Sequence, residues 1–298
     1  MSAAEPPRTP RPAAFPAVGQ LGGPLGLAIL ALLALLCFGA PVLTQWLGYD
    51  MLAVDLADRM ANPSLAHPLG TDELGRDIAL RLLYGGQVSL AVGVAAALAA
   101  AVIGTAVGLF AGFHGGRLDS WLMRLTDFVI ALPTLPLLIV LAALDLNKIG
   151  VPAWIAQSDD VSLYRIVLII ALTGWTLVAR LVRAASLSVR GRDYVAAARI
   201  AGAGPLRLML VHLLPNVASP LLVATTLSVG NVILTESVLS FLGLGIQPPT
   251  PSWGNMLSNA QELITTTPSL AIYPGACIFV TVVACNLIGD WLQQRLRD

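Results

Sequence analysis

Charged residues are scarce in this chain. They make up 11% of its 298 residues, whereas roughly 25% is usual in a soluble domain. Hydrophobic residues reach 56%, and the mean hydropathy is +0.79. Because lipid rather than water suits such a composition, the sequence predicts a protein that crosses a membrane several times.

Several functional motifs are missing. The formal net charge is zero, which argues against a nucleic-acid surface. Lys148 is the only lysine and stands outside any GxxxxGK[ST] sequence, so ATP must be hydrolysed elsewhere if it is used. Zinc spacings, HExxH and GxSxG are also absent, and Cys37, Cys277 and Cys285 lie in apolar stretches without a CxxC pair. We therefore expect no catalytic site and no cofactor on this chain.

Apolar runs long enough to cross a bilayer recur along the sequence. They cover residues 21–43, 88–113, 128–144, 163–182, 217–235 and 270–288. The first run is too long for the core of a signal peptide and is interpreted as a retained helix. We expect an all-α polytopic fold of about six transmembrane helices. The predicted division is a disordered cytoplasmic tail (1–20), a first transmembrane helix (21–47), an outer loop with an interfacial helix (48–87), and a five-helix permease core (88–298) that includes the loop 190–216.

Basic residues indicate the orientation, since loops on the cytoplasmic side carry the excess of arginine and lysine. With the N-terminus inside, 12 basic residues fall inside and 5 outside. The sequence therefore predicts cytoplasmic termini and a cytoplasmic loop at 183–216.

Small residues and prolines suggest how the helices pack. Gly104, Gly108 and Gly112 recur every four residues, a spacing that lets two helix backbones approach closely. This seam could lie within the chain or against a second subunit. Pro133 and Pro136 are expected to kink the third span.

The first outer loop contains a pattern typical of an amphipathic helix. Leu74, Ile78 and Leu82 are four residues apart, and Thr71 could cap the helix start. Two ion pairs are expected on its solvent-facing side: Asp72 with Arg76, and Asp77 with Arg81. We expect this helix to lie in the membrane interface before the second span.

The loop 190–216 predicts two short helices joined at a glycine. Asp193 suits the first helix start, Gly202 its left-handed end, and Pro205 the start of the second helix. Pro215 is expected to mark the boundary before the fifth span. The alanines between Asp193 and Gly202 give a helix of little bulk that could enter a narrow cleft. A DNA-binding helix-turn-helix is disfavoured because residues 206–211 offer few donors or acceptors for base edges.

Polar residues inside the spans are functional candidates. Asn231, Glu236 and Asn286 could line a translocation path, contact an external protein, or hold helices together. No carboxylate lies near a span midpoint, which disfavours an ion-coupled secondary transporter. Residues 239–253 cannot form a straight helix and should fold back as an outward lid or a connector.

Three separated motifs resemble one protein family. AAARIAG at 196–202, followed by Leu214 and Pro215, is similar to the EAA loop of binding-protein-dependent ABC importer permeases. HPLGTDELGRD at 67–77, RDYV at 192–195, and SFLGLGIQPP at 240–249 with Trp253 and Gly254 resemble the dipeptide/oligopeptide branch. These matches extend over nearly all of the chain after residue 65. Ala196 stands where the family has the glutamate that names the motif.

The resemblance implies a division of labour. It implies a heterodimer of two related permeases in a bacterial-type cytoplasmic membrane, ATPase subunits that bind ATP and Mg²⁺, and an external solute-binding protein. This chain would be a non-enzymatic half of the pore, and its cargo would be di- or oligopeptides, with nickel chelates, glutathione or another small solute left open. The residues implied to dock on the ATPase are Asp193, Ala197, Ala198, Arg199, Gly202 and Ala203. A membrane-embedded scaffold or sensor remains the competing hypothesis outside transport.

Overall fold

Helices form most of the chain that the computed structural model describes, namely residues 16–47, 53–148, 150–152, 154, 161–258 and 260–296. Within these residues no β-strand is present, which confirms the predicted all-α fold. The longer helices are α1 (Pro16–Leu47), α2 (Ile78–His114), α3 (Gly116–Ala131), α4 (Thr134–Ala142), α5 (Val161–Arg190), α6 (Asp193–Ile200), α7 (Pro205–Phe241) and α8 (Ser269–Arg295). A 3₁₀ turn, Leu56–Asp58, and two four-residue helices, Asn255–Ser258 and Ala260–Leu263, lie in the connections.

The helix lengths fit the predicted number of spans. Five helices, α1, α2, α5, α7 and α8, are long and apolar enough to cross a membrane. The pair α3 and α4 meets the same criteria together but bends by 84° at its break, so the described residues contain five long spans, and six if this bent pair is counted as one. The predicted tail, residues 1–20, lies outside the described residues as far as residue 15, and 16–20 belong to α1.

The glycine seam shows the direction in which α2 and α5 pack. A Cβ on Gly104 would lie 2.5 Å from the carbonyl oxygen of Trp175, and one on Gly112 would lie 2.6 Å from the Cβ of Ser186. Residue numbers rise together along both helices, so α2 and α5 are parallel. Because α2 and α5 run in the same direction, the chain between them must return to the other end of the bundle before α5 begins. That connecting segment contains α3 and α4.

The two ends of the bundle can now be defined. The "α6 end" holds α6 and the carboxyl ends of α2 and α5; the "opposite end" holds the start of α2 and residues 242–258. Leu270, at the start of α8, packs with Ile78 at the opposite end. Gly26 of α1 lies against Ala284 and Ile288 in the last half of α8. Pro16 and Arg295 therefore lie at the α6 end.

The third span breaks at one proline and not at the other. Leu132 and Pro133 have extended backbones with ψ of 136° and 110°, and the helix is interrupted there. Pro136 is the third residue of α4, where a backbone N–H has no partner within the helix, so the ring costs nothing. The predicted kink at Pro133 is confirmed, and the one at Pro136 is wrong.

The second span starts later than the amphipathic pattern predicts. Asp77 caps α2 by accepting a hydrogen bond from the backbone N–H of Leu80 at 2.9 Å. Thr71 is not a helix cap, because its hydroxyl donates to the carbonyl of Asp58. Gly75 has φ of +74° and lies directly against the backbone of Asp55, so no helix can run through it. The interfacial helix expected from Thr71 is therefore replaced by a folded loop.

The ion pairs of that loop also differ from the prediction. Asp72 pairs with Arg76 at 2.7 Å as expected, but Arg81 reaches the same Asp72 at 3.4 Å. Asp77 instead contacts the ring of His67 at 2.9 Å. Asp72 and Arg81 are buried rather than solvated. The expectation of a solvent-facing row of pairs failed because the loop folds over the start of α2.

Candidate functional site

The first helix of the loop 190–216 ends as its glycine predicts. Gly202 has φ of +86°, a conformation that side chains disfavour. The N–H of Ala203 bonds to the carbonyl of Ala198 at 3.0 Å, and that of Gly202 bonds to Arg199 at 3.1 Å. These two bonds make a Schellman motif. Asp193 lies in the first turn, so both predicted ends of α6 are confirmed.

One apolar side chain fixes α6 to the bundle. Val195 is fully buried in a cluster that we call the loop-side cluster. Its buried members are Leu109, Val178, Val182, Val189, Val195, Leu208, Leu213 and Val217, from α2, α5, α6 and α7. Ala198 and Ala203 pack partly against it. The face of α6 that carries Val195 and Ala198 therefore points inward.

The other predicted loop residues are exposed to solvent, and one of them also contacts a neighbouring helix. Asp193, Ala197 and Gly202 are exposed, and no atom lies within 4 Å of a Cβ built on Gly202. Arg199 is also exposed, but its guanidinium lies 6.0 Å from the ring centre of Phe113 at the end of α2. That cation–π contact orients Arg199 within the chain.

Two apolar residues beside the glycine turn were missed by the sequence reasoning. Ile200 is 89% exposed and Leu206 is 64% exposed, one on each side of Gly202. Large apolar side chains in a polar loop, flanking a glycine, were the available signal. Ala197 is exposed as well. We call Ala197, Ile200 and Leu206 the apolar tip, and exposed apolar side chains of this kind suit burial in a partner's cleft.

The second helix of the loop continues into the fifth span without a break. Residues Leu208–Leu213 form a π-helical turn, and the N–H of Leu214 bonds to the carbonyl of Met209, five residues back. This wider turn accommodates Pro215, which has no N–H and would crowd the preceding turn of an α-helix. The predicted boundary at Pro215 is a change from the π turn to the α-helix that begins at Leu214, and the helical chain runs without a break from Pro205 to Phe241.

The glycine seam lies within the chain. Gly104, Gly108 and Gly112 all face α5, and a Cβ on Gly108 would lie 2.6 Å from the carbonyl oxygen of Ala179. Backbone atoms are the nearest neighbours at Gly104 and Gly108, so the two helices touch main chain to main chain. The alternative of a seam with a second subunit is not what these glycines form here.

Three arginines near the end of α5 bind its neighbours at the α6 end. Arg183 makes a two-pronged pair with Asp119 of α3, with one N···O distance of 2.7 Å. Arg180 pairs with Asp127 of the same helix. Arg190 donates to the carbonyl oxygens of residues 112 and 113 at the carboxyl end of α2, where a cation is favoured. The sequence showed these charges but not their partners.

Glu236 lies at the opposite end in a buried hydrogen-bond network. It is completely buried and accepts from Ser240 at 2.7 Å and from Ser89 of α2 at 3.3 Å. The two serine oxygens in turn accept from the backbone N–H groups of Ile246 and Trp253, both at 3.1 Å. We call these five residues the Glu236 network. It ties the folded-back segment 242–254 to α2 and α7.

The other two polar candidates lie on exposed faces. Asn231 is five residues before Glu236, which places it about 140° around α7, and it lines a cavity of about 500 Å³ between α5, α7 and the end of α8. Asn286 is exposed on α8. The structure therefore does not bring Asn231 and Glu236 together, and their roles in a path or a protein contact stay predictions.

The comparisons with known proteins agree with these features. Residues 104–298 match the family described as binding-protein-dependent transport system inner membrane component. The nickel transport system permease protein NikC of Escherichia coli K12 is 39% identical over 272 residues, which are 91% of this chain and 92% of that protein. The oligopeptide transport system permease protein OppC of Bacillus subtilis is 36% identical, over 91% of this chain and 84% of that protein.

A third relative covers less of both chains at higher identity. The di/tripeptide transport system permease protein DppC of Pseudomonas aeruginosa is 42% identical over 228 residues, 76% of this chain and 71% of that protein. The family match includes the loop 190–216, the glycine seam and the Glu236 network except Ser89. This multi-pass chain thus belongs to the family of inner membrane components of binding-protein-dependent transport systems.

Proposed function

We propose that this chain is one half of the pore of an ATP-driven importer, and that α6 docks on a separate ATPase subunit. The observation that carries the proposal is the exposed tip of α6, with Ile200 and Leu206 flanking the Gly202 turn. Such apolar exposure in a loop outside the spans has a physical reason if a partner covers it. Asp193, Ala197 and the half-buried Ala198 and Ala203 complete the proposed docking surface.

Movement of α6 would reach the spans through two connections. Val195 belongs to the loop-side cluster, which includes residues of α2, α5 and α7. Arg190 holds the last carbonyls of α2, and Arg199 lies over Phe113 of the same helix. Because α2 and α5 also touch along the glycine seam, a force on α6 would move these two helices together. That coupled movement would switch the pore between inward-open and outward-open states.

The pore itself requires a second, related permease subunit. Asn231 lines the cavity between α5, α7 and α8, and Asn286 is exposed on α8. An amide facing lipid is unfavourable, so these positions favour a water-filled path or a polar neighbour. We propose a heterodimer in which the partner closes this side of the path.

Peptides are the proposed cargo, supplied by an external solute-binding protein. Two of the relatives are named as oligopeptide and di/tripeptide permeases. Nickel, as a chelate, is the second candidate because a nickel permease is 39% identical over 91% of this chain. ATP and Mg²⁺ would bind the ATPase subunits, and this chain would carry no cofactor and catalyse no reaction.

Both termini and α6 are proposed to face the cytoplasm. Pro16, Arg295 and α6 share one end of the bundle, and the basic residues are concentrated in the segments at that end. The ATPase would therefore meet α6 on the side where ATP is available.

Single cysteines test docking and orientation together. In a background with Cys37, Cys277 and Cys285 replaced by alanine, Ala197→Cys should cross-link to an ATPase subunit of the assembled transporter. Leu65→Cys, at a fully exposed site of the opposite end, is the matched control and should not. An impermeant maleimide should label Leu65→Cys in intact cells and Ala197→Cys only after the membrane is opened. Labelling in the reverse order, or no cross-link at position 197, would refute the proposal.

The cargo is tested through the binding protein. Mass spectrometry of the ligand carried by the solute-binding protein that stimulates this transporter should detect short peptides. The assembled complex should then hydrolyse ATP faster when that protein is loaded with a peptide than when it is empty. Stimulation by a nickel chelate alone would select the second candidate, and no stimulation by any loaded binding protein would support a scaffold or sensor.

A further inference from the structure

Helix α3 differs from the other long helices in its surface. Within α3, all of whose residues the structure describes, only Asp119 and Thr126 are buried. Both point toward one side, about 20° apart around the helix at 100° per residue. Asp119 binds Arg183 of α5, so this narrow side faces the bundle. Leu122, Met123 and Val129 are half-buried beside Asp119 and Thr126, and the other residues of α3 are exposed.

The exposed circumference has an apolar half and a charged half. Leu118, Trp121, Leu125 and Phe128 are exposed and fall within about 80° of one another. Arg117 and Arg124 are exposed on the adjoining charged side, about 20° apart. Among the described residues neither arginine has a carboxylate within 4.0 Å. Tryptophan and phenylalanine beside arginine are typical of helices that lie in a membrane interface.

The ion pairs show that α3 crosses α5 obliquely. Asp119 and Asp127 are eight residues apart, about 12 Å along α3. Their partners, Arg183 and Arg180, are three residues apart, about 4.5 Å along α5. Helices running side by side would advance by equal lengths. The 84° bend between α3 and α4 points the same way, because α4 packs along α5 through Leu138.

We propose that α3 lies flat in the membrane interface at the α6 end and binds anionic phospholipid headgroups through Arg117 and Arg124. Its apolar half, which includes Trp121 and Phe128, enters the outer part of the hydrocarbon layer. After the break at Pro133 the chain turns into the bilayer, where α4 packs on α5 through Leu138. Arg180 and Arg183 attach α3 to α5, and α5 leads into α6. Binding of α3 to the lipid surface would therefore hold this end of α5 in place while the loop 190–216 moves.

The depth of two side chains tests the orientation. Trp121→Cys and Phe128→Cys are seven residues apart on the apolar half, and Leu25→Cys and Leu32→Cys are equally spaced on the exposed side of the spanning helix α1. Each carries a nitroxide in the reconstituted full-length chain, in the background without native cysteines. Collisions with oxygen and with a water-soluble relaxant give the depth of each label.

The expected depths differ between the two pairs. Both α3 labels should lie equally deep, about 5–10 Å below the headgroups, whereas the α1 labels should differ by about 10 Å. A difference of about 10 Å between the α3 labels would overturn the proposal, because α3 would then cross the membrane. Labels that oxygen cannot reach would also overturn it, since a protein partner would cover the face.

The two arginines are tested by charge. The double variant Arg117→Gln/Arg124→Gln removes both charges, and Arg117→Lys/Arg124→Lys keeps them. Native mass spectrometry of the assembled transporter, released from vesicles with phosphatidylglycerol and phosphatidylcholine, counts the lipid retained. Each arginine should strengthen attachment of an anionic lipid by about fivefold. Preferential loss of phosphatidylglycerol in the glutamine variant, and its recovery in the lysine variant, is expected; equal retention in all three would overturn the headgroup assignment.

Discussion

The two ends of the bundle are held by different forces. At the opposite end the Glu236 network binds a folded-back segment through buried hydrogen bonds, and the indole N–H of Trp253 donates to the carbonyl of Leu82 at 2.9 Å. At the α6 end, α6 is fixed by the apolar side chain of Val195 and by Arg199 over Phe113. Buried hydrogen bonds require one geometry, whereas apolar contacts tolerate small shifts. The folded-back segment at the opposite end is therefore held in a more strictly defined position than α6.

This difference would allow α6 to be displaced while the segment 242–254 at the opposite end keeps its position. The α6 end exposes small residues and the apolar tip around Gly202. Its arginine bonds join α5 to α2 and α3, whereas α6 itself is attached through Val195 and the contact of Arg199 with Phe113. The helices α2 and α5 connect the two ends, because their backbones touch along the glycine seam. Substitutions at the seam, at each end and at the apolar tip should therefore differ in how much stability they cost and in how much of the protein they affect.

The largest effect is expected at the seam that joins the ends. Gly108→Ala would put a Cβ 2.6 Å from the backbone carbonyl oxygen of Ala179, which cannot move away without separating the helices. Overpacking of this kind lowers the free energy of unfolding by about 1–3 kcal/mol. Thermal unfolding of the purified chain in detergent measures the loss.

The control for the seam is a glycine of the same helix pair. Gly174→Ala, on α5, would place its Cβ 3.6 Å from the Cβ of Ala100, an ordinary contact. Because alanine favours a helix over glycine, this variant should be unchanged or stabler by up to about 1 kcal/mol. Equal destabilisation by both changes would show that the seam is not specially close.

The next largest effect should be confined to the opposite end. Glu236→Leu removes the acceptor shared by Ser89 and Ser240, so the segment 242–254 should open more readily, by about 1–3 kcal/mol. Hydrogen exchange of the amide N–H groups of Ile246 and Trp253 should become faster. Glu236→Gln, which keeps the shape and an acceptor, should preserve most of their protection.

The outcome at the α6 end separates local from global loosening. Exchange at Ala203, whose N–H closes the Schellman motif, should not change in Glu236→Leu. If protection is lost equally at both ends, the two ends are one cooperative unit and the comparison between them fails.

Features set by neighbouring residues were predictable from the sequence. Six spans follow from apolar length, and the end of α6 follows from Gly202, since both depend on local chemistry. The break at Pro133 was also local. The π turn at Leu208–Leu213, directly before Pro215, was not predicted, because such turns are rare and the sequence analysis considered only α-helices there.

Contacts between distant residues set the limit of the sequence reasoning. The partner of Glu236 on α2 is Ser89, 147 residues earlier, and no local pattern indicates that pair. The loop before α2 shows the same limit: the spacing of Leu74, Ile78 and Leu82 fits a helix, but Gly75 packed on Asp55 forbids it. For the loop 190–216, the alanines and glycine were identified while Ile200 was overlooked, since exposure depends on which face Val195 buries.

A smaller effect is expected from the turn at the α6 end. Gly202→Ala forces a side chain into a left-handed backbone at φ of +86°, which costs about 1–2 kcal/mol. The cost should fall on the local shape of α6, so ATP hydrolysis by the assembled transporter should persist while cargo moved per ATP declines. Uptake and hydrolysis measured together in vesicles give this ratio.

Gly204 supplies the matched control for that turn. It is exposed like Gly202, no atom lies within 4 Å of its built Cβ, and its φ of −69° suits any residue. Gly204→Ala should therefore keep the ratio of uptake to hydrolysis. A ratio that falls equally in both variants would indicate that added volume, rather than the backbone conformation, disturbs the loop.

The smallest effect on the chain itself is expected at the exposed tip. Ile200→Ser should leave the unfolding temperature unchanged, because the side chain is 89% exposed and loses no contact. Its partner-dependent effect should be much larger: burying an isoleucine on an ATPase contributes about 1.5–3 kcal/mol, so the ATPase should bind at least tenfold more weakly. Leu65→Ser, an equally exposed apolar residue of the opposite end, should not alter that affinity. Titration of ATPase subunits onto the permease in nanodiscs measures the affinity of each variant. Equal affinities of the wild type and Ile200→Ser would show that the ATPase does not bind at the apolar tip.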